Sequence, residues 1–300
     1  MTSYAHSAVA SHSLPVSDRR TSLEAPAGDD ARFAFGHNWQ RFLGSVDAHR
    51  IAEAQASLQA FLEAEDLRGR SFLDLGCGSG LSSLAAIRLG AARVVSLDYD
   101  AESVAAATEL RRRFMPDADG WVIERGDALD AAALRTHGRF DVVYSWGVLH
   151  HTGNLWLALE NASDCVADGG LLYVAVYNDQ GRTSRLWRAI KQTYNRLPDA
   201  LRPVYVALVM GPRELRHAAG RALAGRPLDY IRSWTDYREH RGMSRWHDLV
   251  DWVGGLPFEV AKPEDVFDFC HARGLELLRL KTSAGGLGCN EFVFRRPTGG

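Results

Sequence analysis

The sequence has few cysteines and no long apolar run. Its four cysteines, Cys77, Cys165, Cys270 and Cys289, are widely separated among 300 residues and form no C-x-x-C pair. This pattern argues against a disulfide framework and against a structural zinc site. No stretch approaches the roughly 18 apolar residues of a membrane span, and the first residues lack the continuous apolar core of a signal peptide. We therefore expect a cytoplasmic protein.

An excess of charge of one sign is also missing, because 35 Lys and Arg nearly balance 37 Asp and Glu, for a net charge of -2. A chain without a global basic field is not expected to bind nucleic acid. What the sequence does have is 46% hydrophobic residues, enough to fill a core. Its length allows one large domain, or a domain with a sizeable insertion.

The chain alternates strand and helix patterns through its centre. Residues 1–30 have no hydrophobic period and are predicted to form a flexible tail, and helical spacing follows up to Leu62. Strands are then predicted at 71–75, 94–98, 121–124, 140–146 and 170–178, with helices at 82–90, 101–114 and 155–166. Strands separated by helices imply parallel crossover units. This order predicts an α/β fold with a doubly wound, Rossmann-like sheet.

The pattern lapses after Asn178 and returns near the C-terminus. A helix at 263–274 and strands at 275–282 and 290–294 bring the sheet to seven strands with an antiparallel edge strand. The residues between are predicted to form a helical cap inserted after the fifth strand. The predicted organisation is therefore a tail (1–30), N-terminal helices and core (31–178), a cap that sets substrate specificity (179–262) and the C-terminal part of the core (263–300).

The sharpest motif is FLDLGCGSGLSSLAA, where a strand ends in a glycine-rich turn. Gly76, Gly78 and Gly80 allow a ligand to approach the backbone at a helix N-terminus. A nicotinamide fingerprint would need glycine where this chain has Leu81, which weakens that reading. After the second strand, Asp98 is placed to accept hydrogen bonds from ribose hydroxyls, although it could instead cap the next helix.

With FDVVYSWGVLHHTGN (140–154) added, the chain resembles class I methyltransferases that depend on S-adenosylmethionine (SAM), in particular the small-molecule enzymes of ubiquinone and menaquinone biosynthesis. The resemblance covers residues 69–178 well and 263–294 more loosely. It implies an enzyme that converts SAM to S-adenosylhomocysteine (SAH) without a metal. The implied cofactor-binding residues are Asp74, Gly76, Cys77, Gly78, Gly80, Asp98, Tyr99, Asp127, Ala128 and Trp146.

Some of these residues have a second interpretation. The family places an acidic side chain near the adenine amino group, which Asp127 matches, but Asp127 is also an ordinary loop residue type. Trp146 is expected to line the adenine or acceptor pocket, or simply to pack in the core.

Histidine suits proton removal at neutral pH, and His150 and His151 follow the fourth strand. We expect them to act as the base, His151 first, unless they only pack or cap the next helix. Tyr177, Asn178 and Trp39 are the expected acceptor-binding residues, although an Asn-Asp turn and a buried Trp are the alternatives. His240, His247 and His271 match no compact metal-ligand spacing.

The predicted cap is basic, with fifteen Arg or Lys against nine Asp or Glu, and is rich in aromatic residues. It is expected to bind a hydrophobic or anionic small molecule, or to make peripheral contact with a membrane, unless its charges are only a solvated face. The expected reaction is methyl transfer to O, N, S or C of a small molecule or natural product. An RNA or tRNA methyltransferase and a non-catalytic SAM-binding regulator are the alternatives.

Overall fold

The computed structural model describes residue 39 and residues 42–235, 245–286 and 288–299. The predicted tail over residues 1–30 and the candidate His240 lie outside the described residues. Everything below refers to the described part of the chain.

A seven-stranded sheet forms the centre of the molecule. Its strands are β1 (Ser71–Leu75), β2 (Arg93–Asp98), β3 (Trp121–Arg125), β4 (Phe140–Trp146), β5 (Val166–Tyr177), β6 (Glu276–Lys281) and β7 (Cys289–Arg295). Their spatial order is β3-β2-β1-β4-β5-β7-β6, with β7 antiparallel to both of its neighbours. This topology confirms the predicted α/β fold. The chain reverses direction across the sheet between β1 and β4, and such a switch point opens a crevice at the carboxyl ends of the strands.

Helices cover both faces of the sheet. Along the described part of the chain, the α-helices are α1 (Ala48–Leu62), α2 (Leu81–Arg88), α3 (Ala101–Phe114), α4 (Ala131–Thr136), α5 (Leu155–Asp164), α6 (Arg182–Arg196), α7 (Arg202–Leu223), α8 (Pro227–Thr235), α9 (Arg245–Gly254) and α10 (Pro263–His271). Helices α1 to α3 bury residues such as Ile51 and Leu84 against one face. Helices α4, α5 and α10 bury residues such as Leu159 and Val266 against the other.

The elements between β5 and α10 form a helical insertion, residues 182–254. Its helices pack around a small core of their own, made of Tyr194, Val206, Met210, Leu249 and Val253. A β-bridge between Asn178 and Ala261 joins the chain just before the insertion to the chain just after it. Among the described residues, no helix is both long enough and apolar enough to cross a membrane.

Two elements differ from the sequence prediction. Helix α4 was not predicted, because six residues are too few to show a 3.6-residue period. Asp130 begins this helix, since its side chain accepts from the N–H groups of Ala132 and Ala133. Strand β5 begins at Val166 rather than at 170, so the helix before it ends earlier than predicted. Gly169 and Gly170 both lie inside the strand.

Substitution of Gly170 tests how tightly β5 packs around this residue. A Cβ there would lie 2.8 Å from the carbonyl oxygen of Ala167 and 3.0 Å from that of Phe140. We expect Gly170→Ala to lower the free energy of unfolding by about 1–3 kcal/mol, because backbone must move. Gly220→Ala is the matched control, since no described atom lies within 4 Å of its Cβ position.

Gly220 lies in α7, where alanine is the better helix former, so the control should raise stability by about 0.5–1 kcal/mol. Urea unfolding of both variants measures the two changes. Equal effects from the two substitutions would show that the strand packing around residue 170 is looser than described.

Candidate active site

A glycine-rich loop, residues 76–80, joins β1 to α2 at the crevice. Gly76, Gly78 and Gly80 have φ angles of 83°, 52° and 78°, in the left-handed region that favours glycine. A Cβ on Gly76 would lie 2.3 Å from Cγ1 of Val148, so the backbone there is in close contact with the segment after β4. No side chain caps the N-terminus of α2, which leaves its first N–H groups to a ligand or water.

The end of β2 holds this loop in place. The carbonyl oxygen of Leu97 accepts from the N–H groups of Gly76 and Cys77, at 2.7 and 3.0 Å. The carboxylate of Asp98 accepts from the N–H of Gly78 through Oδ2 and from that of Asp100 through Oδ1, both at 2.9 Å. Burial raises the pKa of Asp98, and these N–H bonds partly offset the effect. The carboxylate also accepts from the side chain of Ser103, and a carboxylate with three such bonds keeps one further acceptor position for a ligand hydroxyl.

Asp100, not Asp98, caps the helix that follows. Its side chain accepts from the N–H of Glu102 at the start of α3. The alternative that Asp98 caps this helix is therefore wrong, because Asp100 is the capping residue. Asp98 lies beside the glycine-rich loop instead. Tyr99 lies between them, with its ring 5.1 Å from the guanidinium of Arg125.

A buried chain of hydrogen bonds connects β3 to Asp74. The indole N–H of Trp121 donates to Oγ of Ser96 at 2.8 Å, the Ser96 and Ser83 hydroxyls are 2.6 Å apart, and Ser83 donates to Oδ2 of Asp74 at 2.5 Å. Because Ser83 donates its one hydroxyl proton to Asp74, Ser96 must be the donor to Ser83. Every hydroxyl in this chain thus has one orientation, and all of them point toward Asp74. Burial raises the pKa of Asp74 to about 7.

Asp127 and Ala128 lie on the loop after β3, as expected. Oδ1 of Asp127 accepts from the N–H of Leu129 at 2.9 Å, which fixes a tight turn. Ala128 is buried, and its carbonyl oxygen accepts from the amide of Asn161 at 2.9 Å. The loop is therefore rigid at the same edge of the sheet as Asp98.

The two histidines form a short 3₁₀ turn after β4, the His turn (Leu149–His151). His150 is fully buried, and burial is the main reason that its pKa lies well below the usual value. Its Nδ1 accepts from the N–H of Tyr177 at 3.4 Å, so Nε2 carries the proton. Among the described residues, that Nε2 has no hydrogen-bond partner. A buried donor of this kind calls for a bound molecule.

His151 is oriented the other way. Its Nδ1 lies 2.6 Å from the carbonyl oxygen of Pro257, and since a carbonyl only accepts, Nδ1 carries the proton. Burial lowers the pKa of His151 to about 4. The imidazole is therefore neutral at pH 7, with its lone pair on Nε2. The two neighbouring imidazoles therefore carry their protons on different nitrogens.

Aromatic rings surround the His turn on the side of the helical insertion. The ring of Tyr177 lies 3.8 Å from that of His150, and the rings of Phe258 and Trp252 lie 5.6 and 6.0 Å from Tyr177. Lys191 is buried and donates to the carbonyl oxygen of Trp252 at 2.5 Å. This neighbourhood is apolar with one buried cation.

The other predicted acceptor residues lie apart from this cluster. Oδ1 of Asn178 accepts from the side-chain amide of Asn290 at 3.0 Å, which ties the end of β5 to β7. Trp39 packs over the glycine-rich loop, because a Cβ on Gly78 would lie 2.8 Å from its indole Cε2. Trp39 therefore lies on the cofactor side of the crevice, whereas Tyr177 lies beside the His turn.

A buried carboxylate also lies at this edge, at Glu291, where the sequence GCNEF indicates only the start of a strand. Oε2 of Glu291 accepts from the hydroxyl of Tyr173 at 2.5 Å and from the indole N–H of Trp146 at 3.3 Å, and Oε1 accepts from Lys281 at 3.0 Å. Burial alone would raise its pKa, but these bonds hold the pKa of Glu291 below its usual value. Trp146 is thereby oriented while 49% of it stays exposed. The charged residue in the apolar run NEFVF was the available signal.

The described residues contain no group of three or more His, Cys, Asp or Glu placed to hold a metal ion. Of the histidines considered for a metal, His271 stacks on Phe267 with ring centroids 5.4 Å apart. His240 is outside the described residues, and the side chain of His247 is not described.

Comparison with known proteins gives a family match over most of the chain. A family model described as a methyltransferase domain matches residues 46–260. An O-methyltransferase family protein from Burkholderia thailandensis is 15% identical, with a TM-score of 0.50, over 83% of this chain and 58% of that one. Magnesium protoporphyrin IX methyltransferase from Synechocystis PCC 6803, solved with bound SAH, is 14% identical, with a TM-score of 0.51, over 87% of this chain and 93% of that one. At these identities the two structures show a shared fold.

Curated relatives match only a short segment. Ribosomal protein L11 methyltransferase from Aliivibrio salmonicida is 47% identical over 49 residues, which are 16% of this chain and 17% of that protein. The chain thus covers less than a fifth of the length of that relative. Together the matches confirm the predicted resemblance, and with it a methyltransferase domain of the SAM-dependent class I type.

The raised pKa of Asp74 predicts an unusual dependence of stability on pH. Its pKa is raised from 3.8 to about 7 by burial, so the folded protein holds this proton more tightly than the unfolded chain does. The stabilisation is therefore fully present below about pH 4 and is lost as the pH rises through about 7. The measured quantity is the difference in free energy of unfolding between wild type and Asp74→Asn. We expect this difference to fall by on the order of 1 kcal/mol or more as the pH rises from about 4 to about 7.

Asp141→Asn is the matched control for this measurement. Asp141 is partly buried, but its bonds from the N–H and hydroxyl of Ser71 hold its pKa below the usual value. Its stabilisation is lost as the pH falls, which is the opposite sign. Urea unfolding at several pH values measures both differences. Parallel pH profiles for the two variants would contradict the buried, proton-binding state of Asp74.

Proposed function

The chain belongs to the methyltransferase domain family, and from this premise we propose that it transfers the methyl group of SAM to a small-molecule acceptor at the His turn. The observation that carries the proposal is the position of Asp98, which holds the glycine-rich loop at the switch point of the sheet. The His turn follows the strand on the other side of that switch point. A cofactor edge and a proton acceptor thus lie on the same rim of the sheet.

The residues at this rim fit SAM. In our proposal, Gly76, Gly78 and Gly80 allow the cofactor to approach the backbone, while Asp98 accepts from the ribose hydroxyls. Tyr99, Asp127, Ala128 and Trp146 complete the adenosine side, and Asp74 and Cys77 hold the loop from below. When bound, SAM supplies a methyl group activated by a sulfonium that departs as a neutral thioether. The protein mainly has to position the acceptor, because proximity lowers the barrier by several kcal/mol, up to about 7–11 kcal/mol in the best cases.

We assign different roles to the two histidines. His151 takes the acceptor proton at Nε2, while its Nδ1–H is held by the carbonyl oxygen of Pro257. His150 donates from Nε2 to an acceptor oxygen or to a bound water. A pKa of about 4 makes His151 a weak base, so the proton leaves the acceptor as the methyl group arrives and not in a separate earlier step.

The surroundings of the His turn favour an apolar acceptor. Tyr177, Trp252 and Phe258 enclose it with aromatic rings, and Lys191 adds one buried cation for an anionic group. Asn178 and Trp39 flank the crevice on either side. We propose that the helical insertion sets specificity and that the protein acts in the cytoplasm, where Cys77, Cys165 and Cys270 stay buried and reduced.

The alternatives fit these residues less well. An RNA or tRNA methyltransferase needs a continuous basic surface next to the site, but the residues around the His turn are mainly aromatic. A regulatory protein without turnover would have no need of a histidine whose tautomer is fixed by a backbone carbonyl.

Binding of SAH by isothermal titration calorimetry tests the cofactor site. We expect micromolar binding that weakens about tenfold to a hundredfold in Asp98→Asn, because hydrogen bonds to a charged group are lost. Asp130→Asn is the matched control, since Asp130 holds two N–H groups on a neighbouring loop in the same manner. Absence of SAH binding by the wild type, or equal loss in both variants, would overturn the cofactor assignment.

Turnover of His151→Gln tests the proposed base once an acceptor has been found. We expect kcat to fall by about 10²- to 10⁴-fold while SAH affinity is unchanged, because glutamine cannot take up a proton. His271→Gln, on α10 and exposed, is the control and should keep full activity.

The pH profile gives a second readout. With the pKa of His151 near 4, activity should show no inflection from this residue near the ordinary histidine pKa of about 6.5. Retention of turnover in His151→Gln would leave proximity as the sole source of catalysis and remove His151 from the mechanism.

A further inference from the structure

We propose that the helical insertion docks on an anionic membrane surface through the outer face of α7, so that the acceptor of the proposed reaction is a lipophilic molecule taken from the bilayer. The acceptor part of this inference rests on the proposed function. The docking part stands on α7 alone.

The outer face of α7 carries an exposed apolar stripe. We define it by Leu201, Val204, Leu208, Leu215 and Leu223, which are 52%, 57%, 70%, 72% and 91% exposed. Their positions recur at intervals of three, four, seven and eight residues, which places them on one side of a helix. Pro212 and Ala219 fill the gaps on the same side. No charged residue interrupts this side of the helix.

In the N-terminal half of α7 the opposite face is apolar as well, and it is already covered. Val206 and Met210 are 0% and 2% exposed and pack against Tyr194, Leu249 and Val253. A helix that is apolar on both sides is normally buried on both sides. Contiguous exposed apolar surface of this kind marks an interaction site. No described residue covers the stripe. Because the inner face of α7 already forms the core of the insertion, the stripe is not needed to hold the insertion together.

The positive charge of the insertion indicates which partner binds the stripe. Residues 179–235 hold eleven Arg and Lys against four Asp and Glu. Arg216, which is exposed, lies beside the stripe on the surface of α7, and Arg213, also exposed, lies one helical turn from Arg216. An apolar face with basic residues beside it matches the boundary between acyl chains and anionic headgroups. A second copy of the chain would bring two insertions of the same positive charge together, so charge favours lipid over self-association.

The arrangement also links the stripe to the active site. The inner face of α7 packs on α9, and Trp252 of α9 contacts Tyr177 beside the His turn. Only the thickness of the insertion therefore separates the bilayer from the acceptor site. Since no described helix can span a membrane, the docking mode is a helix lying in the interface. At 22 residues, α7 is about 33 Å long and lies along the surface.

Vesicle sedimentation of the full chain tests the proposal. The vesicles are made either of equal parts phosphatidylglycerol and phosphatidylcholine, or of phosphatidylcholine alone. We expect binding to the anionic vesicles only, weakened by added salt. Leu208→Glu combined with Leu215→Glu should reduce the partition coefficient by at least about tenfold, because two charges replace the centre of the stripe.

The matched control is Leu278→Glu combined with Leu280→Glu. These leucines are 50% and 43% exposed on the edge strand β6, so the same chemical change is made away from α7. The control should bind vesicles like the wild type. Circular dichroism and SAH calorimetry without vesicles, on all three proteins, separate a failure of docking from a failure of folding or of the proposed cofactor site.

Three results would overturn the proposal. The first is no binding to anionic vesicles, or equal binding to both kinds. The second is equal loss of binding in the α7 variant and the β6 control. The third is a dimer in solution that dissociates in the α7 variant, because the stripe would then bind a second copy. SAH binding that persists in any of these cases would leave the proposed methyl transfer standing.

Discussion

The arrangement of the candidate site depends on the hold that the end of β2 has on the glycine-rich loop. Two N–H groups of the loop converge on the carbonyl oxygen of Leu97, and a third bonds to the carboxylate of Asp98. A loop bound in this way must pass close to its neighbours, and a Cβ on Gly76 would overlap Val148. Glycine is thus required by the position of the loop. The same contact brings the segment after β4, and with it the His turn, against the cofactor edge.

The buried hydrogen-bond chain beneath the loop explains how polar groups are tolerated there. Trp121, Ser96, Ser83 and Asp74 come from three adjacent strands and one helix, and every hydroxyl is satisfied in one direction. Such a chain fixes the relative positions of β1, β2 and β3 more firmly than apolar packing alone, because a shift of any strand would leave a buried donor unpaired. The glycine-rich loop is therefore supported from beneath by strands whose relative positions are fixed by buried hydrogen bonds.

Much of the fold was predictable because its signals are local. The strand β1, the helix α3 and the strand β4 begin and end within one residue of their predicted bounds, since each combines a clear apolar period with a capping residue or a glycine. Helix α4 escaped because it is shorter than two turns. The role of Glu291 was not predicted for a different reason. Its partners Tyr173, Trp146 and Lys281 come from three other strands, and a local sequence pattern does not indicate contacts between distant strands. The candidate histidines were visible in sequence, but the tautomer of His151 depends on Pro257, over a hundred residues away, and that of His150 depends on the N–H of Tyr177.

The segment that returns from the helical insertion to the sheet makes the insertion part of the active site. Pro257 fixes the tautomer of His151, the N–H of Glu259 donates to the carbonyl oxygen of His150 at 3.0 Å, and the Glu259 carboxylate accepts from the N–H of Leu155 at the start of α5. The His turn is thus braced by the same segment that ends the insertion. A change in how the insertion sits on the sheet would move Pro257 and Glu259, and through them the imidazole of His151. In the proposed mechanism, acceptor selection and proton removal are therefore coupled through one short stretch of backbone. An insertion exchanged for a different one would have to preserve both contacts to keep the histidines in their present orientations.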